Sequence, residues 1–98
     1  MSWYFIVDTY IDEQAGRGEY DEYIRLVKPI VEKYGGKYLV RTENITALSV
    51  KRTPNRAIVI KFDSREQLDK CFSSDEYKAI MSKRTNSVDS RAIIAEGL

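Results

Sequence analysis

The side chains that most often carry chemistry near neutral pH are almost missing from this chain. Histidine is absent and cysteine occurs once, at Cys71. Without imidazole, the chain lacks the group whose unperturbed pKa best suits acid–base catalysis near neutral pH, and it lacks the commonest metal ligand. One cysteine and no histidine cannot form a zinc site or a Cys–His dyad within one chain. The sequence therefore predicts no bound metal and no cofactor.

Tyrosine and arginine are the side chains from which a binding site could still be built. Seven of the 98 residues are tyrosine, and Tyr38 falls in a predicted strand from which its hydroxyl could face a cleft. Arg41, Arg56 and Arg84 lie at the predicted ends of strands or helices. A planar guanidinium is well suited to hold a carboxylate or an enolate. These four residues are the candidate ligand-binding set; alternatively, the arginines form salt bridges at the surface or in a dimer interface.

Other residues that could do chemistry have simpler interpretations. Asp8 and Glu43 could act as a base if burial raised their pKa, but no pattern requires it. Cys71 lies on the apolar face of a predicted helix, where a buried small hydrophobe is expected rather than a nucleophile. Gly16-Arg17-Gly18 precedes a predicted helix, yet it lacks the lysine–serine ending of a phosphate-binding loop and the third glycine of a dinucleotide fingerprint. No catalytic residue is assigned.

The apolar spacing predicts the elements that position these residues. Residues 19–34 repeat apolar side chains at the i, i+3, i+4, i+7 spacing of a helix, and Gly35 can adopt the left-handed conformation that ends it. Capping-box patterns that start at Ser64 and Ser73 begin further helices. The predicted strands are 3–11, 37–41 resuming over 45–50, 56–62 and 91–95. This β-α-β-β-α-β order predicts an α+β, ferredoxin-like fold, in which one face of a four-stranded antiparallel sheet carries the helices.

Two of the predicted strands are apolar on both faces. Residues 3–7 and 57–60 show no alternation between apolar and polar side chains, although helices on one side of a sheet can cover only one face. A large exposed apolar sheet would promote aggregation. We therefore expect a second copy of the chain to cover the other face, as a homodimer formed through the sheet.

The sequence resembles domain-of-unknown-function family 1330, a branch of the dimeric α/β-barrel superfamily. The resemblance rests on Tyr20 and Tyr23, Lys33–Arg41, Pro54 with Arg56, Phe62, Ser73–Tyr77, Arg84, and Arg91 before Glu96-Gly97. It implies a ferredoxin-like protomer that pairs sheet to sheet and has a small cleft between the sheet and the helices, with no settled reaction. Residues 12–19 form a longer loop than is usual in the family, and Ser49 stands where a glycine is common.

Composition limits the class of protein further. Lys and Arg number 16 and Asp and Glu 15, for a net charge of +1, so neither a nucleic-acid binder nor a basic membrane-surface protein is indicated. No apolar run is long enough to cross a membrane. The expectation is one cytoplasmic domain over 1–98 that binds a small molecule or is purely structural. The alternative is a cofactor-free isomerase or monooxygenase that acts on an activated carbonyl or phenolic substrate.

Overall fold

The computed structural model of the protein describes all of residues 1–98. Its elements are β1 (Trp3–Tyr10), α1 (Tyr20–Lys33), β2 (Lys37–Thr42), β3 (Arg56–Phe62), α2 (Arg65–Ser73), α3 (Asp75–Thr85) and β4 (Asp89–Glu96). The strands form one antiparallel sheet in the order β2-β3-β1-β4. The predicted α+β, ferredoxin-like topology is confirmed.

The junction between α1 and β2 is a two-glycine helix stop. Gly35 has a φ of +87°, in the left-handed region that favours glycine. Its backbone N–H donates to the carbonyl of Glu32, and the N–H of Gly36 donates to the carbonyl of Val31, which together form a Schellman motif. A Cβ on Gly36 would overlap the side chains of Val31 and Phe62. The chain therefore turns back at once, and α1 packs beside the strand that follows it.

Serine caps begin the two shorter helices. The Ser64 hydroxyl accepts a hydrogen bond from the backbone N–H of Gln67 at 3.1 Å, as the sequence predicts. For α3 the predicted cap is wrong by one residue, because Ser74 accepts from the backbone N–H of Tyr77 at 3.1 Å. Ser73 instead ends α2 and donates to the carbonyl of Asp69. No residue separates the end of α2 from the Ser74 cap, so the first serine of the pair closes one helix and the second begins the next.

The predicted continuation of the second strand over residues 45–50 is wrong. This segment is a loop with one isolated bridge, between Ser49 and Arg52. Pairing between β2 and β3 ends where Thr42 meets Ala57. Because β3 begins at Arg56, one residue beyond that pair, it is too short to pair with residues 45–50. Leu48 and Val50 are 95% and 93% exposed.

The two faces of the sheet have different surroundings. On the inner face Phe5 packs against Phe72 of α2, with ring centroids 4.3 Å apart. The buried core lies between this face and the helices; its members are Tyr20, Tyr23, Val27, Val31, Ile60, Phe62, Leu68, Cys71 and Tyr77. Neighbouring residues of a strand point to opposite faces, so Ile6 lies on the outer face. No element of the chain packs over the middle of that face.

Candidate functional site

A cavity of about 60 Å³ lies between the inner face of the sheet and helices α1 and α3. Fifteen residues line it and twelve of them are hydrophobic. Tyr23 and Val27 of α1 form one side, Ile58 and Ile60 of β3 form the floor, and Tyr77 of α3 closes an end. This is the cleft between sheet and helices that the family resemblance implies.

Two tyrosine hydroxyls form a polar pair beside the cavity. Tyr23 of α1 and Tyr77 of α3 are 7% and 5% exposed, and their hydroxyl oxygens are 3.0 Å apart. Burial raises the pKa of Tyr23 well above its ordinary value, and Tyr77 adds to the increase. Both rings meet edge to face, with centroids 6.3 Å apart. With its pKa raised, Tyr23 stays protonated near neutral pH, so the pair retains hydrogen-bond donors.

A second polar group lies toward β4. The Tyr20 hydroxyl donates to Thr9 Oγ1 at 3.4 Å, and Thr9 Oγ1 is 3.3 Å from Ser90 Oγ. Thr9 and Tyr20 are both fully buried. These three residues also line the cavity. The buried hydroxyls are therefore linked to one another, as buried polar groups usually are.

Arg84 is the one charged residue that lines the cavity. It is half-buried in the last turn of α3, and its guanidinium carbon is 5.9 Å from the centroid of the Tyr23 ring. Its positive charge opposes the burial that raises the pKa of Tyr23. No carboxylate lies within ion-pair distance of Arg84. The site therefore has positive charge without a matching negative charge.

The structure brings together two of the four candidate residues, Tyr38 and Arg84, in the cavity wall. Burial raises the pKa of Tyr38 to about 12, with the charge of Arg41 acting in the opposite direction. Arg41 lies over the Tyr38 ring at 5.2 Å and donates to the carbonyl of Ile24 at 3.1 Å. It therefore supports Tyr38 from outside the cavity lining.

Arg56 also lies outside the cavity lining. It is 8% exposed, and its Nη1 is 3.7 Å from a carboxylate oxygen of Glu43. Its Nε is buried without a hydrogen-bond partner. The ion pair agrees with the alternative interpretation of this arginine, as a member of a salt bridge.

Neither acidic residue considered as a base faces the cavity. Asp8 points to the outer face, where the guanidinium of Arg52 donates to both of its carboxylate oxygens at 2.7 and 3.1 Å. Glu43 accepts from Arg17 at 2.9 Å and is 49% exposed. The cavity therefore lacks a carboxylate that could take a proton from a bound molecule.

The contacts of Cys71 and of the Gly16–Gly18 loop are those of residues that support the fold. Cys71 is fully buried in the core, and burial raises the pKa of its thiol to about 11, so the reactive thiolate is scarce near neutral pH. Arg17 of the loop pairs with Asp21 and Glu43, and the backbone N–H of Glu19 donates to Ser87 Oγ. No group of three His, Cys, Asp or Glu side chains is placed to hold a metal ion.

Comparison with known proteins identifies the family. Residues 2–98 match the family described as a domain of unknown function (DUF1330). The chain belongs to DUF1330. No curated protein matches the sequence significantly, so the family assignment brings no established reaction with it.

Solved structures share the fold of this DUF1330 chain at low sequence identity. A protein of unknown function from Rhodopseudomonas palustris is 17% identical, with a TM-score of 0.80 over 99% of this chain and 82% of its own. A candidate antibiotic biosynthesis monooxygenase from Nitrosomonas europaea is 12% identical, with a TM-score of 0.65 over 100% and 99%. A dimeric ferredoxin-like protein of unknown function from Jannaschia sp. is 13% identical, with a TM-score of 0.66 over 99% and 100%. At these identities the similarity shows the fold alone.

Tyr23 and Tyr77 are among the residues that carry the family resemblance, but the sequence did not lead us to expect that their hydroxyls meet at the cavity. These residues are 54 positions apart, and local spacing gives no sign of contact over such a separation. The available signal was chemical, because a buried tyrosine usually finds a partner for its hydroxyl. Two tyrosines on the apolar faces of two predicted helices were therefore candidates to pair.

Proposed function

We propose that the protein is a homodimer that binds a small molecule in the cleft of each subunit. The observation that carries the binding proposal is the cavity, which combines apolar walls, tyrosine hydroxyls and the unpaired Arg84. Such a combination, with few polar groups in an apolar concave site, is typical of ligand pockets. The single cysteine is a free thiol, as is typical of proteins in a reducing compartment. We therefore propose a cytoplasmic location.

The dimer proposal is supported by an aliphatic row across the outer face of the sheet. Val40, Val59, Ile6 and Ile93 are paired in register, so one aliphatic side chain comes from each strand. Val40 and Ile93 at the ends of the row are 39% and 61% exposed. A continuous apolar strip of this kind typically marks an interaction surface. The relative from Jannaschia sp., described as dimeric, shares this fold.

Binding without catalysis is better supported than the cofactor-free enzyme. Solved relatives described as candidate antibiotic biosynthesis monooxygenases favour the enzyme only through the shared fold, which is a weak guide to activity. Proton abstraction needs a base near the bound molecule, and no carboxylate lines the cavity. Tyrosine hydroxyls are neutral near pH 7 and can donate hydrogen bonds, and burial raises the pKa of Tyr23 and Tyr38 further from neutrality.

A fragment screen by ¹H–¹⁵N NMR tests the binding proposal. We expect small neutral and anionic fragments to shift the backbone signals of residues that line the cavity, such as Val27, Tyr38 and Ile60. Val27→Phe should remove these shifts, because the larger ring occupies the cavity. Val50→Phe makes the same change at a position that is 93% exposed and should leave binding intact. Shifts that survive Val27→Phe, or no fragment that binds at the cavity, would refute a ligand-binding cleft.

A further inference from the structure

A thin wall of side chains separates the cavity from the surface. Phe5, Phe72, Tyr77 and Arg84 line the cavity and also line an open groove on the outside, beside Met81. Phe72 and Tyr77 meet edge to face, with ring centroids 5.0 Å apart. Because these four residues border both spaces, their side chains lie between the groove and the cavity.

Arg84 gives this wall its charge. Most arginines of the chain have a carboxylate partner, as Arg17, Arg52 and Arg65 do, whereas Arg84 has none within ion-pair distance. Arg84 contacts the Tyr23 ring, but a half-buried charge without a carboxylate partner is only partly compensated, and an anion that binds beside it removes part of that penalty. A guanidinium binds a carboxylate through two parallel hydrogen bonds.

The volume of the cavity limits the apolar part of such a ligand. A site needs roughly 15 Å³ for each water-sized body, and an empty cavity of about 150 Å³ is known to accept benzene. The cavity found here, at about 60 Å³, is less than half that size. That space fits a short aliphatic tail and is too small for an aromatic ring.

We propose that the cleft binds a short-chain aliphatic monocarboxylate. Its carboxylate pairs with Arg84 in the wall and accepts from the hydroxyl pair of Tyr23 and Tyr77, while a short aliphatic tail fills the apolar cavity. This inference rests on the proposed function, since it names the ligand class of the same cleft. It assigns the cavity a size limit and Arg84 a role in recognising the anion.

A calorimetric and NMR titration of the full-length protein tests the proposal with three probes: isobutyrate, its neutral isostere isobutyramide, and benzoate. Wild type should bind isobutyrate more tightly than either other probe, with shifts at the cavity residues. Arg84→Gln should weaken isobutyrate binding about tenfold or more, because a charge-assisted pair is lost. Arg25→Gln removes a charge from the exposed surface of α1 and should bind as wild type does.

Each other outcome has a distinct meaning. Isobutyramide that binds as tightly as isobutyrate, or affinity unchanged by Arg84→Gln, would overturn the carboxylate proposal and leave the binding cleft in place. Benzoate that binds more tightly at the same residues would overturn the size limit. Binding by none of these probes, together with an empty fragment screen, would defeat both the ligand class and the cleft. If Arg84→Gln does not fold, Arg84→Lys takes its place, because lysine keeps the positive charge and lacks the planar guanidinium. Unchanged isobutyrate affinity in Arg84→Lys would contradict recognition through two parallel hydrogen bonds from the guanidinium.

Discussion

Tyrosine hydroxyls give the interior of the molecule most of its polarity. Tyr20, Tyr23 and Tyr77 are buried, and each hydroxyl has a partner in another element. Since a buried hydroxyl without a partner is costly, these contacts fix how α1 sits on α3 and on β1. The same hydroxyls face the cavity, so the residues that hold the helices in place also line the candidate site.

The hydroxyl pair of Tyr23 and Tyr77 should show coupling in unfolding experiments. Tyr23→Phe or Tyr77→Phe alone removes one hydrogen bond and leaves the other hydroxyl unsatisfied, so each should lower the free energy of unfolding by about 0.5–1.5 kcal/mol. The double variant should lose less than the sum, because no unpaired hydroxyl remains. Urea unfolding of the four proteins measures this coupling, and strictly additive losses would show that the hydroxyls do not bond.

The four residues selected from the sequence as a candidate binding set have different positions relative to the cavity. Tyr38 and Arg84 were selected and do line the cavity, whereas Arg41 and Arg56 were selected with them and lie outside it. All three arginines lie at or near the ends of helices or strands. They differ in the direction that each side chain takes in the folded protein, and only Arg84 points to the cavity. Arg41 is directed to the carbonyl of Ile24 in α1 and Arg56 toward Glu43. These contacts depend on how the elements pack in the folded chain rather than on local spacing.

At the scale of elements, the two serines before α3 offer a matched pair of substitutions. Ser74→Ala should lower the free energy of unfolding by about 1 kcal/mol, because the helix loses its N-cap. Ser73→Ala should have a much smaller effect, since its hydroxyl bonds to a carbonyl one turn back in α2 and is exposed. Thermal or urea unfolding measures both. If Ser73→Ala were the more damaging change, the cap would be at Ser73, as the capping-box pattern alone indicated.

Glu76 links α3 to the end of α1. Lys33 Nζ donates to its carboxylate at 2.9 Å and the Tyr34 hydroxyl donates to the same oxygen at 2.9 Å. The hydrogen bond from Lys33 and then that from Tyr34 hold the pKa of Glu76 below its ordinary value of 4.5. A carboxylate whose folded-state pKa is lowered stabilises the fold above its unfolded pKa, and the contribution is lost as pH falls through the folded pKa.

Glu76→Gln should therefore be less stable than wild type at pH 7, and the difference should shrink as pH falls below 4.5. Urea midpoints at a series of pH values measure it. Glu66→Gln is the control, because Glu66 pairs with Lys70 within α2 alone and joins no two elements. A wild-type advantage that persisted unchanged at the lowest pH would contradict the link.

The predictions of helix and strand boundaries succeeded where a boundary depends on local sequence and failed where it depends on a distant partner. Gly35 ended α1 as expected, since a left-handed φ is a local requirement, whereas the close approach of Gly36 to Phe62 depends on how β3 packs. Residues 45–50 looked like a strand from their β-branched composition and are a loop. A strand needs a partner, and residue preferences alone do not reveal that β3 extends only one residue, Arg56, beyond the last β2–β3 pair at Ala57.

At the scale of the whole molecule, the sheet has one covered face and one uncovered face. The sequence showed that both faces of β1 are apolar and could not decide which residues point outward. The structure decides this, since Phe5 packs under α2 while Ile6 joins the aliphatic row on the outer face. A chain of 98 residues has a small core and thin stability of its own, so a second sheet on this row would add a layer that the single chain lacks.

Native mass spectrometry at micromolar concentration tests the central claim, that two copies join through their sheets and each keeps its own cleft. The account predicts a wild-type mass of twice 11.4 kDa. Ile93→Asp, in the middle of the outer face of β4, should give a monomer, because the charge would be buried against the partner copy. Met81→Asp, an exposed site on α3, should remain a dimer. A wild-type protein found only at 11.4 kDa would contradict the account.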